Sequence, residues 1–448
     1  MGLALKVHRP RVEAGWVIAP ERPWDQYGIS PYASFVEDQG RFHCWYECYG
    51  SEEDMGIEVN VAYAVSDDGI HWSYPDLGVR EYGGSRRNNL TDLRSHGACV
   101  FIDPTAPAEE RYKTGGLHVV RPETPVPDHE RPQCRLRWWR QVGGAVSADG
   151  FRWRPLKTPI LPRQFCDTQT VIEHDPVLRK YVLFTRQKNG LMKRRGVNRS
   201  ESADFRAFPP STPILESSPL DPPDWDIQSH GYHRWPGSDH AHLMLATVFH
   251  RASDRMSIHL ATSRDGVCWH RPLRRQAWLD PDDVRLDHDV MRVHSCHGIL
   301  NTAPGEWSLY FRPYDHGHNA GKLDRRPTGL MRAVCREDGF VSLSSEGRGE
   351  FWTVPFVLDS DGISLNVRCG YAGRLRVGIE RVPGDYDDMG SVRSEIIRGY
   401  GLEDCEPVNG DHTDAKLRWR GGPLSQLRGQ TVRLHAQIYR TDLYAIRF

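Results

Sequence analysis

The chain has 448 residues, 38% hydrophobic and 26% charged, a balance that suits a globular protein of two or three domains. Its 58 Lys and Arg nearly cancel its 59 Asp and Glu, and no long basic run stands out, which argues against nucleic acid or an anionic membrane as the partner. No segment approaches the roughly 18 uncharged apolar residues of a membrane helix, and "MGLALKVHRPRVEAGW" lacks a signal-peptide core, so a cytoplasmic protein is expected.

In chain order, a short segment of small and apolar residues, "PYASFVED", is followed by two strand patterns, "RFHCWYEC" and "VNVAYAVS", and by the turn "SDDGIHW" at 66–72. The same grammar returns as "GACVFIDP", "ERYKTGGL", "RWWRQVGGAVS" and "SADGFRW", then as "TQTVIEHD", "RKYVLFTR", "GVNRSES" and "SADFRAF". A fourth round reads "YHRWPGSD", "HLMLATVF", "MSIHLATS" and "SRDGVCW", and a fifth "SCHGILNT", "EWSLYFRP", "TGLMRAVC" and "REDGFVSL". The turn aspartates fall at 68, 149, 204, 265 and 338, spacings that fit one propeller blade with variable loops. In the full motif the Asp accepts backbone amides, the Gly supplies a positive φ, and the aromatic residue packs between sheets; the third copy lacks the Gly and the fifth the Trp. The motif is therefore structural punctuation.

No amphipathic helix of a dozen residues stands out. After about residue 355 the turn motif stops, while "LDSDGISLNVRCGYAGRLRVGIERVPG" and the C-terminal segment alternate apolar and polar residues. The expected fold is all-β: a five-bladed β-propeller over 1–355 and a β-sandwich over 356–448. The ten cysteines include no C-x-x-C pair and read as reduced, buried thiols.

A propeller's chemistry lies where the innermost strands begin, and an acid precedes each of them. Asp25, Asp167, Asp226 and Asp289 are the candidate catalytic carboxyls, with Asp287 competing for the place of Asp289. Acids crowded in one funnel repel, and some are raised toward the range of general acids. Trp24 and Trp225 precede two of the acids as sugar-stacking neighbours. Asp92, His96, Arg186, His230, His297 and His318 complete the expected binding set, while His294, His316, Arg195 and Arg199 are further polar neighbours. Glu47 and Glu173 fall on strands, where a carboxylate commonly only satisfies its neighbours. The histidines lack the spacing of a local zinc motif. No cofactor is therefore expected, with a structural or pocket metal ion kept open.

The strand pairs "YASFVEDQGRFHCWYE" and "TQTVIEHDPVLRKYVLFTR", the repeated turns and the ending "LRGQTVRLHAQIYRTDLYAIRF" resemble bacterial glycoside hydrolase family 32 N-terminal-like proteins, related to families 43 and 68. The resemblance runs over nearly the whole chain. It implies a five-bladed furanosidase-type propeller with a C-terminal β-sandwich and three catalytic carboxylates from different blades. Where such enzymes carry W-M-N-D-P-N-G this chain has "GISPYASF", so Asp25 is the nearest acid. Their R-D-P is replaced by "SHGACVF", with His96 and Gly97 in place, and their E-C is absent, leaving Asp167 nearest. The expected function is cleavage or transfer of a glycosyl group, furanosyl among the candidates, from a small glycoside or oligosaccharide. A propeller that only binds carbohydrate or a small metabolite, and a lyase or isomerase with a histidine base, are the alternatives. Oligomeric state stays open.

Overall fold

The computed structural model describes residues 2–54, 59–120, 139–162, 164, 167–189, 194–320, 326–384 and 393–448, so Cys134 and Cys166 lie outside the described residues. Strands take up 52% of it and helix 4%, which makes the protein all-β. Two compact units are present: Pro10–Val334, and Met1–Arg9 with Cys335–Phe448. No helix among the described residues is long and apolar enough to cross a membrane. The cysteines among them are free.

The unit Pro10–Val334 is a succession of antiparallel meanders. The first pairs Gly28–Asp38 with Arg41–Tyr49 and that strand with Asn60–Ser66, and Ser73 bridges Val65 at the edge. The second runs His96–Ile102, Tyr112–Val120, Trp139–Ser147 and Arg154–Pro155. The third runs Val171–Asp175, Lys180–Asn189, Arg194–Ser202 and Thr212–Leu215. In the fourth, Trp225–Ser229 and Tyr232–Arg234 both pair with His242–His250, followed by Arg255–Ser263 and Trp269–His270. The fifth joins Arg292–Ala303, Glu306–Tyr314 and Met331–Arg336. Each meander touches the next, and the first strands of the fifth and first also meet, where His297 pairs with Ser34.

Apolar packing lies between successive sheets rather than at one centre. Trp45, Tyr63, Val100 and Trp153 fill the space between the first and second meanders, and Phe101, Ile172, Leu183 and Phe205 that between the second and third. Phe35 stacks on Tyr310 with ring centroids 3.7 Å apart, and Trp72 meets Phe35 edge-on at 5.3 Å. The turn aromatics thus sit where the repeat predicts, buried in the wedges that hold neighbouring sheets together.

Three of the turns share one geometry. Ser66 Oγ accepts the Gly69 amide, Asp68 Oδ1 accepts the Ile70 and His71 amides at 2.8 Å each, and Gly69 takes φ +70°. Ser147 with Asp149, and Ser263 with Asp265, repeat these bonds. The third copy, which has no glycine, keeps the Asp204 amide on Ser202 Oγ and the Arg206 amide on Asp204. The fifth departs from the expected order. There the positive φ falls on Asp338, whose carboxylate accepts from Arg447. The outer strand of the fifth meander comes from the N-terminal segment, Arg11–Val12, which pairs with Val334 and Ala333.

The strand Val341–Trp352 belongs instead to the other unit, between Ala4–Val7 and Thr431–Arg447 in a seven-stranded sheet. Ser364–Arg381 pairs along the other side of Thr431–Arg447, with its register shifting between Cys369 and Arg374. Its core gathers Leu365, Leu375, Ile379, Trp419, Leu434 and Ile438, all buried. The expected division at 355/356 falls inside this sheet, just before Phe356–Val357.

Candidate functional site

In the unit Pro10–Val334 a cavity of about 250 Å³ opens where the first strands begin. Tyr27, Ser30 and Tyr32 reach it from the start of the first meander, His96 from the second and Gln228 from the fourth. Arg292 and His294 come from the start of the fifth, and Arg312 and Tyr314 from the end of its next strand, where His294 pairs with Arg312. Antiparallel pairing is what brings the end of a second strand back beside the start of a first one.

A chain of polar contacts crosses four meanders at this wall. Glu47, buried at the end of Arg41–Tyr49, accepts from Tyr49 Oη and from the Gly97 amide at 2.9 Å, and lies 3.0 Å from His96 Nδ1. Burial pushes its carboxyl up, but His96 and these hydrogen bonds outweigh it, and the group lies below the ordinary glutamate value. His96 Nε2 faces the Asp167 carbonyl at 3.3 Å, and Tyr32 Oη donates to the same oxygen. The Asp167 carboxylate is ion-paired with Arg186, whose Nη1 donates to Gln228 Oε1 at 3.2 Å. Both ring nitrogens of His96 therefore face acceptors.

The fifth meander supplies cations. The Arg292 and Arg312 guanidinium carbons lie 3.9 and 4.1 Å from the Tyr314 ring centroid. Arg292 Nε donates to the His316 carbonyl at 2.8 Å, and Arg292 Nη1 lies 3.5 Å from His318 Nδ1. Burial, then Arg195 and Arg292, lowers His318 to about 4. His294 is held well below the usual histidine value by burial, then by Arg292, His318, Arg312 and Arg186.

Of the residues expected from sequence, His96 and His318 line this cavity, and Asp167 and Arg186 join it through His96 and Gln228. Asp25, Asp226 and Asp289 do not line it. Asp25 is fully buried and accepts the Arg22 amide at 2.6 Å and Tyr46 Oη at 3.4 Å. Asp226 is fully buried between Arg194 and Arg251, and Asp289 is exposed. Trp24 donates to Asn89 Oδ1, and Trp225 is packed against His250 and His259, so neither ring offers a face to this cavity. Asp92 accepts the Trp153 amide at 2.7 Å, capping a turn. His230 is buried between the Gln169 carbonyl and the Tyr232 amide.

His297 lines a different cavity, about 450 Å³, near the far ends of the first strands. Its Nε2 lies 3.5 Å from Glu173, which burial raises to about 7.

Arg292 and Arg312 are the site residues the sequence reading passes over. A signal for Arg312 exists in the aligned second strands "FHCWYE", "YVLFTR" and "WSLYFR", where Glu47, Arg186 and Arg312 end otherwise apolar runs at one shared place. Among the described residues no three His, Cys, Asp or Glu gather as a metal-holding group.

No protein-family model matches the sequence, and no curated protein matches it. The structure is similar to that of BT0996 in a complex with RGII, 15% identical, with TM-score 0.50 over 73% of this protein and 92% of that one. A solved glycoside hydrolase is 14% identical over 73% of this protein and 92% of its own length, with TM-score 0.48. The Bombyx mori GH32 beta-fructofuranosidase BmSUC1 is 12% identical over 98% and 94%, with TM-score 0.43. At these identities the likeness is one of fold alone.

Proposed function

We propose that the five meanders are blades of a propeller and that the protein processes a small glycoside in the cavity where the blades' first strands begin. The supporting observation is the network from Glu47 through His96 and Asp167 to Arg186 and Gln228, which draws four meanders onto that cavity. In this reading Asp167 is the carboxylate that attacks the anomeric carbon or activates water. His96, backed by Glu47, delivers the proton to the leaving oxygen. The test is product formation from aryl glycosides and small oligosaccharides by the wild type and by Asp167→Asn. Loss of turnover by about 10²-fold or more, in a variant with unchanged thermal midpoint, is expected for an acid–base or nucleophilic carboxylate. Undiminished turnover in the folded variant removes Asp167 from the mechanism, and sugar binding without any turnover identifies a binding propeller.

A second reading is favoured by the lining itself, which among the described residues carries four histidines and no carboxylate. A lyase with a histidine base would keep activity in Asp167→Asn and release an unsaturated product that absorbs in the ultraviolet.

A further inference from the structure

The cavity gathers arginine side chains from the fifth meander. Among the described residues its lining includes Arg292, Arg312 and Arg326 and no Asp or Glu, with Arg326 ion-paired to Asp287 and His316 to Asp315 just outside it. Arg292 and Arg312 are 6% and 9% exposed and share one tyrosine ring, so two like charges are held close together away from bulk water. A guanidinium held in a poorly solvated place without a carboxylate partner is unfavourable until an anion joins it. Arg312 is fixed by Nε on Thr328 Oγ1 at 2.9 Å and by the Tyr314 ring. No carboxylate among the described residues forms an ion pair with it. His294 adds an independent sign. It is 5% exposed and lines the cavity, yet neither ring nitrogen has a hydrogen-bond partner among the described residues. Buried polar groups in native proteins nearly always have partners, and an orphaned imidazole beside two guanidiniums points to a ligand atom.

We infer that the cavity binds a sugar that carries an oxyanion, a carboxylate or a phosphate, with the charged group between Arg292 and Arg312 and a sugar or oxyanion oxygen on His294. A guanidinium fork matches either oxyanion, Tyr314 holds both forks in place, and the volume fits a single sugar unit better than a polymer. This deepens the reading of the cavity as a glycoside site and rests on it.

Calorimetric titration of the full chain with glucuronate, glucose 6-phosphate, glucose and inorganic phosphate tests it without requiring turnover. One of the two acidic sugars is expected to bind at least tenfold more tightly than glucose and than phosphate alone, and which one it is separates carboxylate from phosphate. That preference should fall at least tenfold in Arg312→Gln and only partly in Arg312→Lys, which keeps the charge and loses the fork. His294→Gln, which breaks no hydrogen bond of the free protein, serves should Arg312→Gln fail to fold, and the same weakening is expected. Glucose binding as tightly as both acidic sugars overturns the inference, as does phosphate binding as tightly as either, which would mark a bare ion site. Acidic-sugar binding without turnover of any glycoside leaves the inference standing and removes the catalytic reading. Equal turnover of neutral and acidic aryl glycosides does the reverse.

Discussion

Asp226, inside the strand Trp225–Ser229, and Asp167, ahead of Val171–Asp175, both meet arginines, but their surroundings differ. Asp226 is fully buried, and Arg194 Nε and Arg251 Nε reach its two oxygens at 2.8 and 2.9 Å. Nothing remains for a substrate. Asp167 keeps a third of its side chain exposed beside Arg186, while its main-chain carbonyl faces His96. Asp226→Asn removes the charge that two guanidiniums share. Breaking a buried pair costs about 3 to 5 kcal/mol, and because Arg194 and Arg251 are 27% and 44% exposed about 2 kcal/mol is the reasonable share here. The expected outcome is a lower denaturation midpoint with undiminished turnover per folded molecule, the opposite of Asp167→Asn. Parallel denaturation and rate measurements on the two variants check it. Sequence places an acid ahead of each first strand, but residue order does not say which way the loop before a strand turns. A turn carries Asp25 into the packing, the strand Trp225–Ser229 carries Asp226 there and a loop leaves Asp289 at the surface, while the second-strand ends carry Glu47, Arg186 and Arg312 to the site.

At the scale of elements, the meanders are legible because a strand alternates with period two and because Ser, Asp and Gly each have a separate task in the turn. What the pattern conceals is partnership across long sequence separation. The two-residue strand Arg11–Val12 has no periodicity to detect, yet it completes the fifth meander. The turns themselves give a graded test. Gly69 and Gly266 share nearly the same φ, +70° and +69°, so alanine pays the same left-handed cost at both, about 1 to 2 kcal/mol. A Cβ on Gly266 finds nothing nearer than the His242 ring at 3.7 Å, whereas one on Gly69 would lie 2.5 Å from Thr302 Cγ2 and 3.0 Å from Tyr310 Oη. Overpacking adds roughly 1 to 3 kcal/mol there. Gly69→Ala should therefore be clearly less stable than Gly266→Ala in urea titration. Equal losses would mean that the wedge between the first and fifth meanders yields more easily than its packing implies.

At the scale of the whole molecule, histidine burial sets a pH limit. Burial lowers His230 and His297 to about 4, carries His233 and His294 further down, and acts with Arg195 and Arg292 on His318. These rings stay neutral in the fold, while in the unfolded chain they take up protons as pH falls below their ordinary 6.5. Their contribution is thus complete above pH 6.5 and is lost progressively down to about pH 4, where the folded rings also begin to charge. Glu173 acts the other way. Raised from 4.5 to about 7, it keeps its proton in the fold, so stability gained from it grows as pH falls from about 7 to 4.5. Burial also raises Asp25 and Asp92, but from an ordinary 3.8, while five further rings, His8, His43, His242, His250 and His259, are lowered as well, so the rings dominate. The turn aspartates enter only below their ordinary 3.8, since Asp265 lies at about 2, which keeps their window separate. The thermal midpoint should accordingly fall between pH 6.5 and 4, more steeply in Glu173→Gln, which lacks the compensating proton, and less steeply in His230→Gln. A midpoint that stays level across this interval in all three proteins would mean that the buried rings accept protons without leaving the fold.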